Sequence, residues 1–341
     1  MKNRSLWLVF LSFCFLTTRA QLVDLPDTDI YILNISTDEK GNLVFDSPRK
    51  ITQNKGYDNQ PSWYPDGSAI LYSTVPFELD TPRADINKYI LSNGRTLTII
   101  NTPRTSEFSP MLMADKTHVS VVRILEDDST QVLAKCADGT DDCQILFPKL
   151  KGVGYYTWLD QNRVAMALLG EELTLVIGHV ATGRLDTLAV NVGRCLQRVP
   201  GRNPLLAFVD KNKKPWTIRL YDGRSGKISD LVPVTGAEDE DFAFMPDGSI
   251  LMGSQSFLYR HVPAIVQTSA RSSASAAVAS KQEEKKQTQA SKEKKQDQYK
   301  VSAHWAKVAD FSQTAIRQFY RLAVSPNGDK IALVTYSGIK P

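Results

Sequence analysis

The sequence predicts an all-β fold: a six-bladed β-propeller closed by two N-terminal and two C-terminal strands. Two observations support this prediction. A hairpin with a Pro-Asp-Gly-like turn recurs about every 45 residues, and each end of the array holds half of a repeat unit. The composition fits a globular chain, because 42% of the 341 residues are hydrophobic and 23% are charged. These values exclude wholesale disorder and a collagen-like repeat.

The repeated hairpin is clearest at 62–71, 242–251 and 322–333. In each copy proline presets φ, and the Asp-Gly or Asn-Gly pair that follows tolerates a tight turn between two strands. With the weaker copies included, the turn residues fall at 66, 115, 161, 201, 247 and 327. The last step, from 247 to 327, drops from 80 to 49 when the low-complexity stretch 270–300 is left out. Six units with one insertion therefore account for the spacing.

Five of the units continue with two further strand-like runs. The predicted third strands are 84–91, 130–137, 173–180, 216–222 and 257–262, and the predicted fourth strands are 96–101, 144–150, 184–190, 227–232 and 305–311. The sixth unit has only its first two strands, at 320–325 and 330–336, whereas the runs 29–35 and 49–52 have no pair before them. Joining these halves completes a sixth blade, so we expect residues 21–341 to form one closed domain.

Two segments are expected to lie outside the blades. Residues 1–20 combine Lys2 and Arg4, an apolar run and a small-residue cleavage site before Gln21, which is typical of a secretory signal peptide. The apolar run is too short to span a bilayer, so no transmembrane segment is expected in the mature chain. Because Phe13 precedes Cys14 where a small residue is needed, we expect no lipid anchor. Residues 266–303, rich in Ser and Ala and then in Lys, Gln and Glu, predict a disordered insertion in blade five.

The net charge of +4 comes from these two segments. Without residues 1–20 and 270–300 it falls to −3, so no nucleic-acid partner is expected. Export would place the mature chain in the periplasm or cell envelope, or outside the cell, where disulfides form. The turn-rich stretch between Cys136 and Cys143 predicts a disulfide across a hairpin, with Cys195 buried and inert.

The Pro-Asp-Gly hairpins, with Asp-Ile-Tyr at 29–31 and Lys-Ile-Thr at 50–52, make the chain resemble the WD-repeat-like propeller of the TolB family. The resemblance covers nearly all of 29–336. It implies the propeller fold. We expect the N-terminal α/β domain of TolB to be absent, because only about eight residues separate the predicted cleavage site from the first strand.

Signatures of propeller-associated enzymes are weak. The sequence has no Gly-x-Ser-x-Gly nucleophile elbow. Its histidines are His118, His179, His261 and His304. They fall in different parts of the blades and are not expected to meet at the axis, so no metal site and no cofactor are predicted.

The candidate site is the mouth of the central channel, where the first strand of each blade begins. Counting back from the turns places these residues there: Asp58, Gln60, Glu107, Tyr155, Arg194, Arg198, Glu240, Asp241, Tyr320 and Arg321. Such a polar ring could hold a small ligand or the loop of a partner. Arg198 occupies the register of Trp63 and Trp158, so we expect it to pair with an acid such as Asp241 or to reach into the channel.

Two functions remain open. The first is an exported, non-enzymatic module that binds an envelope protein, a peptide or a glycan at the channel mouth. The second is a carboxylate-dependent hydrolase or lyase that acts on a small molecule or saccharide in the channel. Its candidate acids and bases are Asp58, Glu107, Glu240 and Asp241. A deep pocket with two carboxylates about 5 to 9 Å apart would favour the enzyme, whereas acids already paired with arginines would favour the binding module.

Overall fold

The computed structural model describes residues 25–78, 82–137, 140, 142–201, 204–263 and 304–337. Throughout these ranges the chain forms β-strands and turns without a helix, which confirms the all-β prediction. None of the described segments is an apolar helix of membrane-spanning length. The predicted signal peptide at 1–20 and the predicted insertion at 266–303 lie outside the described residues.

The strands are numbered in chain order. The first seven are β1 (Thr28–Thr37), β2 (Leu43–Phe45), β3 (Arg49–Lys50), β4 (Gly56–Trp63), β5 (Ala69–Pro76), β6 (Asp85–Ile90) and β7 (Arg95–Ile100). The next eight are β8 (Ser106–Leu112), β9 (His118–Ile124), β10 (Gln131–Ala137), β11 (Cys143–Ile145), β12 (Val153–Trp158), β13 (Arg163–Leu168), β14 (Thr174–His179) and β15 (Arg184–Val190). The remaining ten are β16 (Val192–Arg198), β17 (Leu205–Asp210), β18 (Thr217–Asp222), β19 (Ile228–Pro233), β20 (Phe242–Phe244), β21 (Ile250–Ser254), β22 (Phe257–His261), β23 (Ala306–Asp310), β24 (Phe319–Val324) and β25 (Lys330–Tyr336).

Four sheets each contain four strands that follow one another along the chain. These are β8 to β11, β12 to β15, β16 to β19 and β20 to β23, and every pairing within them is antiparallel. Each sheet begins with the strand that precedes a Pro-Asp-Gly-like turn. We call the six strands in this position, β4, β8, β12, β16, β20 and β24, the first strands.

The remaining sheet contains nine strands in the order β24-β25-β1-β4-β5-β6-β7, with β2 and β3 also paired to β1. Strand β1 pairs antiparallel with β25 from Thr28 opposite Tyr336 to Asn34 opposite Lys330. It meets β4 through one parallel pair, Thr28 with Tyr57. The N-terminal and C-terminal strands therefore share one sheet, as the two half-units predict. The predicted strand at 49–52 is shorter in the structure, where β3 has two residues and β2 provides a further partner for β1.

The hydrophobic core lies between neighbouring sheets. Strands β5, β13 and β17 are buried along nearly their whole length, because other strands or sheets cover both of their faces. Between β12–β15 and β16–β19, for example, Leu175 and Leu196 pack in one cluster with the fully buried Phe208. The outermost strands β7 and β15 are exposed over their first four residues. Each sheet is thus stabilised mainly by the sheets beside it.

The recurrent turns have a shared local chemistry. The Asp66 carboxylate accepts hydrogen bonds from the backbone N and the hydroxyl of Ser68 at 2.9 and 2.7 Å. Asp247 makes the same two bonds with Ser249, at 2.8 and 2.6 Å. Gly67 adopts a φ of 73°, a left-handed conformation that favours glycine. The Pro-Asp-Gly-Ser pattern therefore has a direct structural cause.

A disulfide links the last two strands of the β8–β11 sheet. Cys136 in β10 is opposite Cys143 in β11, with a Cα–Cα distance of 4.0 Å. The bond ties the short strand β11 to the buried strand β10. Cys195 remains a free thiol.

Removal of residues 317–341 from the mature chain is expected to cause aggregation. The deletion strips β24 and β25 from β1, so it exposes an unpaired strand edge and opens the core cluster that contains Leu322, Ile331 and Leu333. Size-exclusion chromatography with light scattering tests this, with a chain ending at Ser337 as the control because it keeps both strands. A monomeric truncation with a cooperative unfolding transition would contradict the expectation.

Candidate functional site

The first strands converge on a pocket with a volume of about 120 Å³. All six contribute residues to its lining, and β20 does so through Phe242 and the preceding Asp241. Six lining residues each lie six positions before the turn residue of their unit: Gln60, Ser109, Tyr155, Cys195, Asp241 and Arg321. The repeat therefore delivers one side chain from every unit to the same space.

Bulges near the pocket redirect these side chains. The register of β4 against β5 shifts between Asn59 and Ser62, and Gln60 within this bulge has a φ of 57°. Strand β8 has an equivalent shift, where Ser109 has a φ of 53°. The Gln60 Oε1 atom accepts hydrogen bonds from the Ser109 backbone N and the Ser73 hydroxyl, both at 2.8 Å. Since bulges re-aim side chains, this bonded pair of bulges positions one wall of the pocket.

Arg194 forms the main ion pair of the pocket. Its Nη2 and Nε atoms both contact the Asp241 carboxylate, Nε at 3.2 Å, and Nε lies 3.6 Å from Glu240. Glu240 also accepts a bond from the Arg194 backbone N at 3.2 Å and pairs with Lys211 at 2.8 Å. Burial lowers the pKa of Arg194, but the hydrogen bond and charge of Asp241 outweigh it and raise the pKa. Both carboxylates that the sequence predicts in this unit are therefore already bound to cations.

Arg321 is in a different situation. Its guanidinium lies 5.7 Å from the centroid of the Tyr155 ring, and its buried Nε has no hydrogen-bond partner. Burial lowers the pKa of Arg321, but the nearby Tyr57 and the charge of Asp241 raise it above its usual value. The group is therefore a cation, and no carboxylate among the described residues lies within ion-pair distance of it.

The Cys195 thiol also lines the pocket, where it is partly exposed rather than fully buried as the sequence predicts. Its Sγ donates to the carbonyl oxygen of Phe242 at 3.2 Å and accepts from the side-chain amide of Gln197 at 3.7 Å. Burial, with the charge of Asp241, raises the pKa of the thiol to about 12. A thiol held in this form is a poor nucleophile at neutral pH.

Asp58 lies outside the pocket, although the sequence places it at the mouth. It is completely buried. In a regular strand Asp58 and Gln60 would share a face, because side chains alternate with a period of two. The bulge at Gln60 breaks this alternation, so Gln60 lines the pocket whereas Asp58 is buried away from it. The Asp58 carboxylate accepts a hydrogen bond from Asn54 at 3.4 Å.

Glu107 and Arg198 are also absent from the pocket lining. Glu107 is buried, accepts hydrogen bonds at 2.7 Å from both Thr102 and Thr105, and pairs with Arg123 at 3.1 Å. Its position precedes the bulge of β8 as Asp58 precedes that of β4. Arg198 is exposed near the far end of β16 and neither pairs with Asp241 nor lines the pocket. Arg194, four residues earlier in the strand, pairs with Asp241 instead.

Tyr320 and Glu240 support the pocket from behind its lining. The Tyr320 ring stacks on Tyr336 with centroids 5.0 Å apart and lies 5.6 Å from the Arg194 guanidinium. Its hydroxyl accepts a hydrogen bond from Asn59. Five of the ten predicted residues therefore line the pocket, namely Gln60, Tyr155, Arg194, Asp241 and Arg321. Ser109 and Gln197 line the pocket as well. Ser109 lies six positions before its turn residue, like the other repeated lining residues, whereas Gln197 does not, so the repeat spacing could have identified Ser109 alone.

The histidines lie apart from this pocket. His118 pairs with Asp115 at 2.8 Å, and His179 pairs with Asp186 at 2.9 Å. The Nδ1 atom of His261 is hydrogen-bonded to the His304 carbonyl at 2.8 Å. Across the described ranges, no three His, Cys, Asp or Glu side chains lie close enough together to hold a metal ion.

Cys195 is expected to react slowly with iodoacetamide. At pH 8 an ordinary thiol with a pKa of about 8.5 is about one-quarter thiolate, whereas a pKa of about 12 leaves about 1 in 10⁴. Mass spectrometry of the mature protein should show labelling at least about 100-fold slower when folded than in denaturant. Comparable rates in the two states would contradict the raised pKa of the thiol.

Asp58→Asn is expected to stabilise the protein more at pH 8 than at pH 5. Burial raises the pKa of Asp58 to about 7 from 3.8, partly offset by a hydrogen bond from Thr74, and Oδ2 has no hydrogen-bond partner. The folded state therefore binds the proton more tightly, and wild-type stability falls as pH rises from about 4 to 7. The variant lacks this loss, which is at most about 4 kcal/mol. Urea unfolding at both pH values measures the difference, and an equal gain at pH 5 would contradict it.

Comparisons with known proteins identify the fold. No protein-family model and no curated protein matches the chain. Among solved structures, a putative TolB from Agrobacterium tumefaciens aligns with a TM-score of 0.60 and 10% identity over 92% of this chain and 99% of that one. An oligogalacturonate lyase in complex with manganese aligns with a TM-score of 0.52 and 12% identity, over 89% and 83% of the two chains.

TolB from Acinetobacter baumannii aligns with a TM-score of 0.50 and 16% identity, over 69% of this chain. The match spans 61% of that TolB, which is less than two thirds of its length. Identities this low show the fold alone, since one fold carries many functions. The described chain therefore has a TolB-like fold.

Proposed function

We propose that this chain is an exported, non-enzymatic TolB-like propeller that binds an envelope protein, peptide or glycan at the channel mouth. The proposed ring has six blades, and its sixth blade combines β24 and β25 with the N-terminal strands. The pairing of β1 with β25 supports this closure. All six first strands line one pocket. In a propeller the first strand of each blade faces the central channel, so six such strands around one pocket support a count of six blades.

The main support for the binding proposal is that the carboxylates in and beside the pocket already form ion pairs with basic side chains. Among the described residues, Asp241 is the single carboxylate that lines the pocket, and it is paired with Arg194. Glu240, the nearest further acid, is shared between Arg194 and Lys211. Acid–base catalysis by two carboxylates needs one of them free to exchange a proton with substrate. This arrangement favours recognition over catalysis.

The size of the pocket points the same way. A volume of about 120 Å³ is small beside the roughly 300 to 1,000 Å³ of typical small-molecule sites. It suits a side chain or the tip of a loop better than a saccharide. A partner bound across the face would then insert one group into the pocket, and an enclosed central contact of this kind can dominate the free energy of binding.

The alternative is a carboxylate-dependent hydrolase or lyase in the same channel. The observation in favour of this alternative is the structural similarity to an oligogalacturonate lyase. Two of its four candidate residues, Asp58 and Glu107, are fully buried outside the pocket. It therefore has less support than the binding function.

Loss of the Arg194–Asp241 pair is expected to abolish partner capture. Mature protein (21–341) and an Arg194→Ala/Asp241→Ala variant are immobilised and exposed to envelope extract. The matched control is Arg184→Ala/Asp186→Ala, which removes an exposed ion pair of 2.9 Å in β15. Both variants keep the wild-type net charge. Thermal unfolding checks that each variant is folded.

A partner retained by the wild type and the control, but lost by the pocket variant, would support the proposal. Equal retention by all three proteins, or no specific retention by any, would reject the channel mouth as the binding site. Turnover of a saccharide by the wild type but not by the pocket variant would favour the enzyme instead.

A further inference from the structure

The pocket contains a cation that the protein itself does not neutralise. Arg194 and Asp241 satisfy each other, whereas Arg321 has a buried Nε without a hydrogen-bond partner. A guanidinium has five N–H donors and no acceptor. Arg321 is half-buried and faces the pocket, and among the described residues it forms no ion pair, so its Nη groups are free to bind a ligand there.

The neighbours of Arg321 add neutral donors. Gln60 uses its side-chain oxygen to accept from Ser73 and Ser109, which leaves its amide N–H groups for another acceptor. In the described part of the chain, neither this amide nitrogen nor the Tyr155 hydroxyl makes a hydrogen bond. Both residues line the pocket with Arg321. The space is therefore bordered by a cation and uncommitted donors, a combination that recognises an anion.

The planar form of the guanidinium narrows the class of anion. Arginine binds carboxylates through two parallel N–H···O bonds, and the two Nη groups of Arg321, which unlike Nε are not enclosed by protein, can supply both of them. A volume of about 120 Å³ is several times the roughly 10 to 15 Å³ that one water molecule needs, so a carboxylate and a short stem fit in it.

We propose that Arg321 binds a carboxylate group in the channel pocket, presented by an acidic side chain or C-terminus of the partner. This inference rests on the proposed binding function and specifies its chemistry. The Arg194–Asp241 pair lines the same pocket, and because Arg194 already engages the Asp241 carboxylate, Arg321 stays available to the incoming carboxylate.

The proposal is tested first with acetate as the probe. Mature protein labelled with ¹⁵N-arginine is titrated with sodium acetate at constant ionic strength, with sodium chloride as the matching salt, and the Arg321 Nε–H resonance is followed by NMR. We expect a saturable shift with a Kd on the order of millimolar, because the probe has few atoms. No saturable shift up to about 100 mM would overturn the proposal.

Three variants separate recognition from charge and from structure. Arg321→Lys keeps the charge but loses the planar fork, so acetate, followed through the backbone resonances of the pocket, should bind at least about tenfold more weakly. Arg321→Gln should abolish saturable binding, whereas Arg198→Gln, which alters the exposed arginine of β16, should leave it unchanged. Equal acetate affinity in the wild type and Arg321→Gln would contradict the assignment.

Stability provides a readout that a purely structural arginine would not give. In the absence of acetate, Arg321→Met should have a Tm equal to or above that of the wild type, because it breaks no ion pair and removes a buried Nε that has no hydrogen-bond partner. Acetate should raise the Tm of the wild type and not that of the variant. A large loss of stability in Arg321→Met with no acetate effect on the wild type would assign Arg321 to the fold instead.

Partner capture distinguishes the source of the carboxylate. Loss of the envelope partner in Arg321→Gln, and its competition by acetate from the wild type, would support a carboxylate on the partner. If Arg321→Gln still captures the partner, and acetate does not displace the partner from the wild type, the carboxylate does not come from the partner. A free carboxylate would then be the ligand. Acetate binding without any retained partner would reject the proposed function and keep the anion site.

Discussion

The antiparallel pairing of β1 with β25 is the interaction on which the rest of the structure depends. It joins residues 28–34 near the start of the chain to 330–336 near its end. In the proposed ring, every other blade is made from consecutive residues, and this one brings the two ends of the array together. A polar cluster lies at the joint: Asp29 pairs with Lys50 at 2.7 Å and accepts a bond from Ser337 at 2.8 Å. The joint therefore combines backbone pairing with buried charge, and the neighbouring Asp58 makes it sensitive to pH.

The periodic features of the fold could be predicted from the sequence because they recur. The Pro-Asp-Gly turns, the four-strand units and the union of the terminal strands all follow from spacing and turn chemistry. The candidate site was only half predictable. Counting from the turns locates Gln60, Asp241 and Arg321, but it also selects Asp58 and Glu107, because a bulge cannot be seen in a hydrophobic pattern. One residue of left-handed backbone changes which side chains reach the pocket.

Arg194 and Arg198 show a second limit of the sequence. Both lie on β16, and only the ion-pair geometry distinguishes them: Arg194 meets Asp241, whereas Arg198 is exposed. Such pairing depends on the relative positions of two neighbouring first strands, to which residues 47 positions apart contribute. Tertiary contacts of this kind are absent from any local pattern. The same holds for Cys195, whose thiol environment is set by Phe242 of the next unit.

The variety of residues that line the pocket is a further argument that the pocket is a binding site. At the turn position three of the six units have an aspartate, and the carboxylates of Asp66 and Asp247 make the same hydrogen bonds there. Six residues before the turns, at the pocket, the units present an amide, a hydroxyl, a phenol, a thiol, a carboxylate and a guanidinium. No two units have the same residue type at this position. Six different groups around one space give an asymmetric surface, and an asymmetric surface can hold a ligand in a single orientation. The unpaired Arg321 then marks the side of the pocket to which the negative end of that ligand would bind.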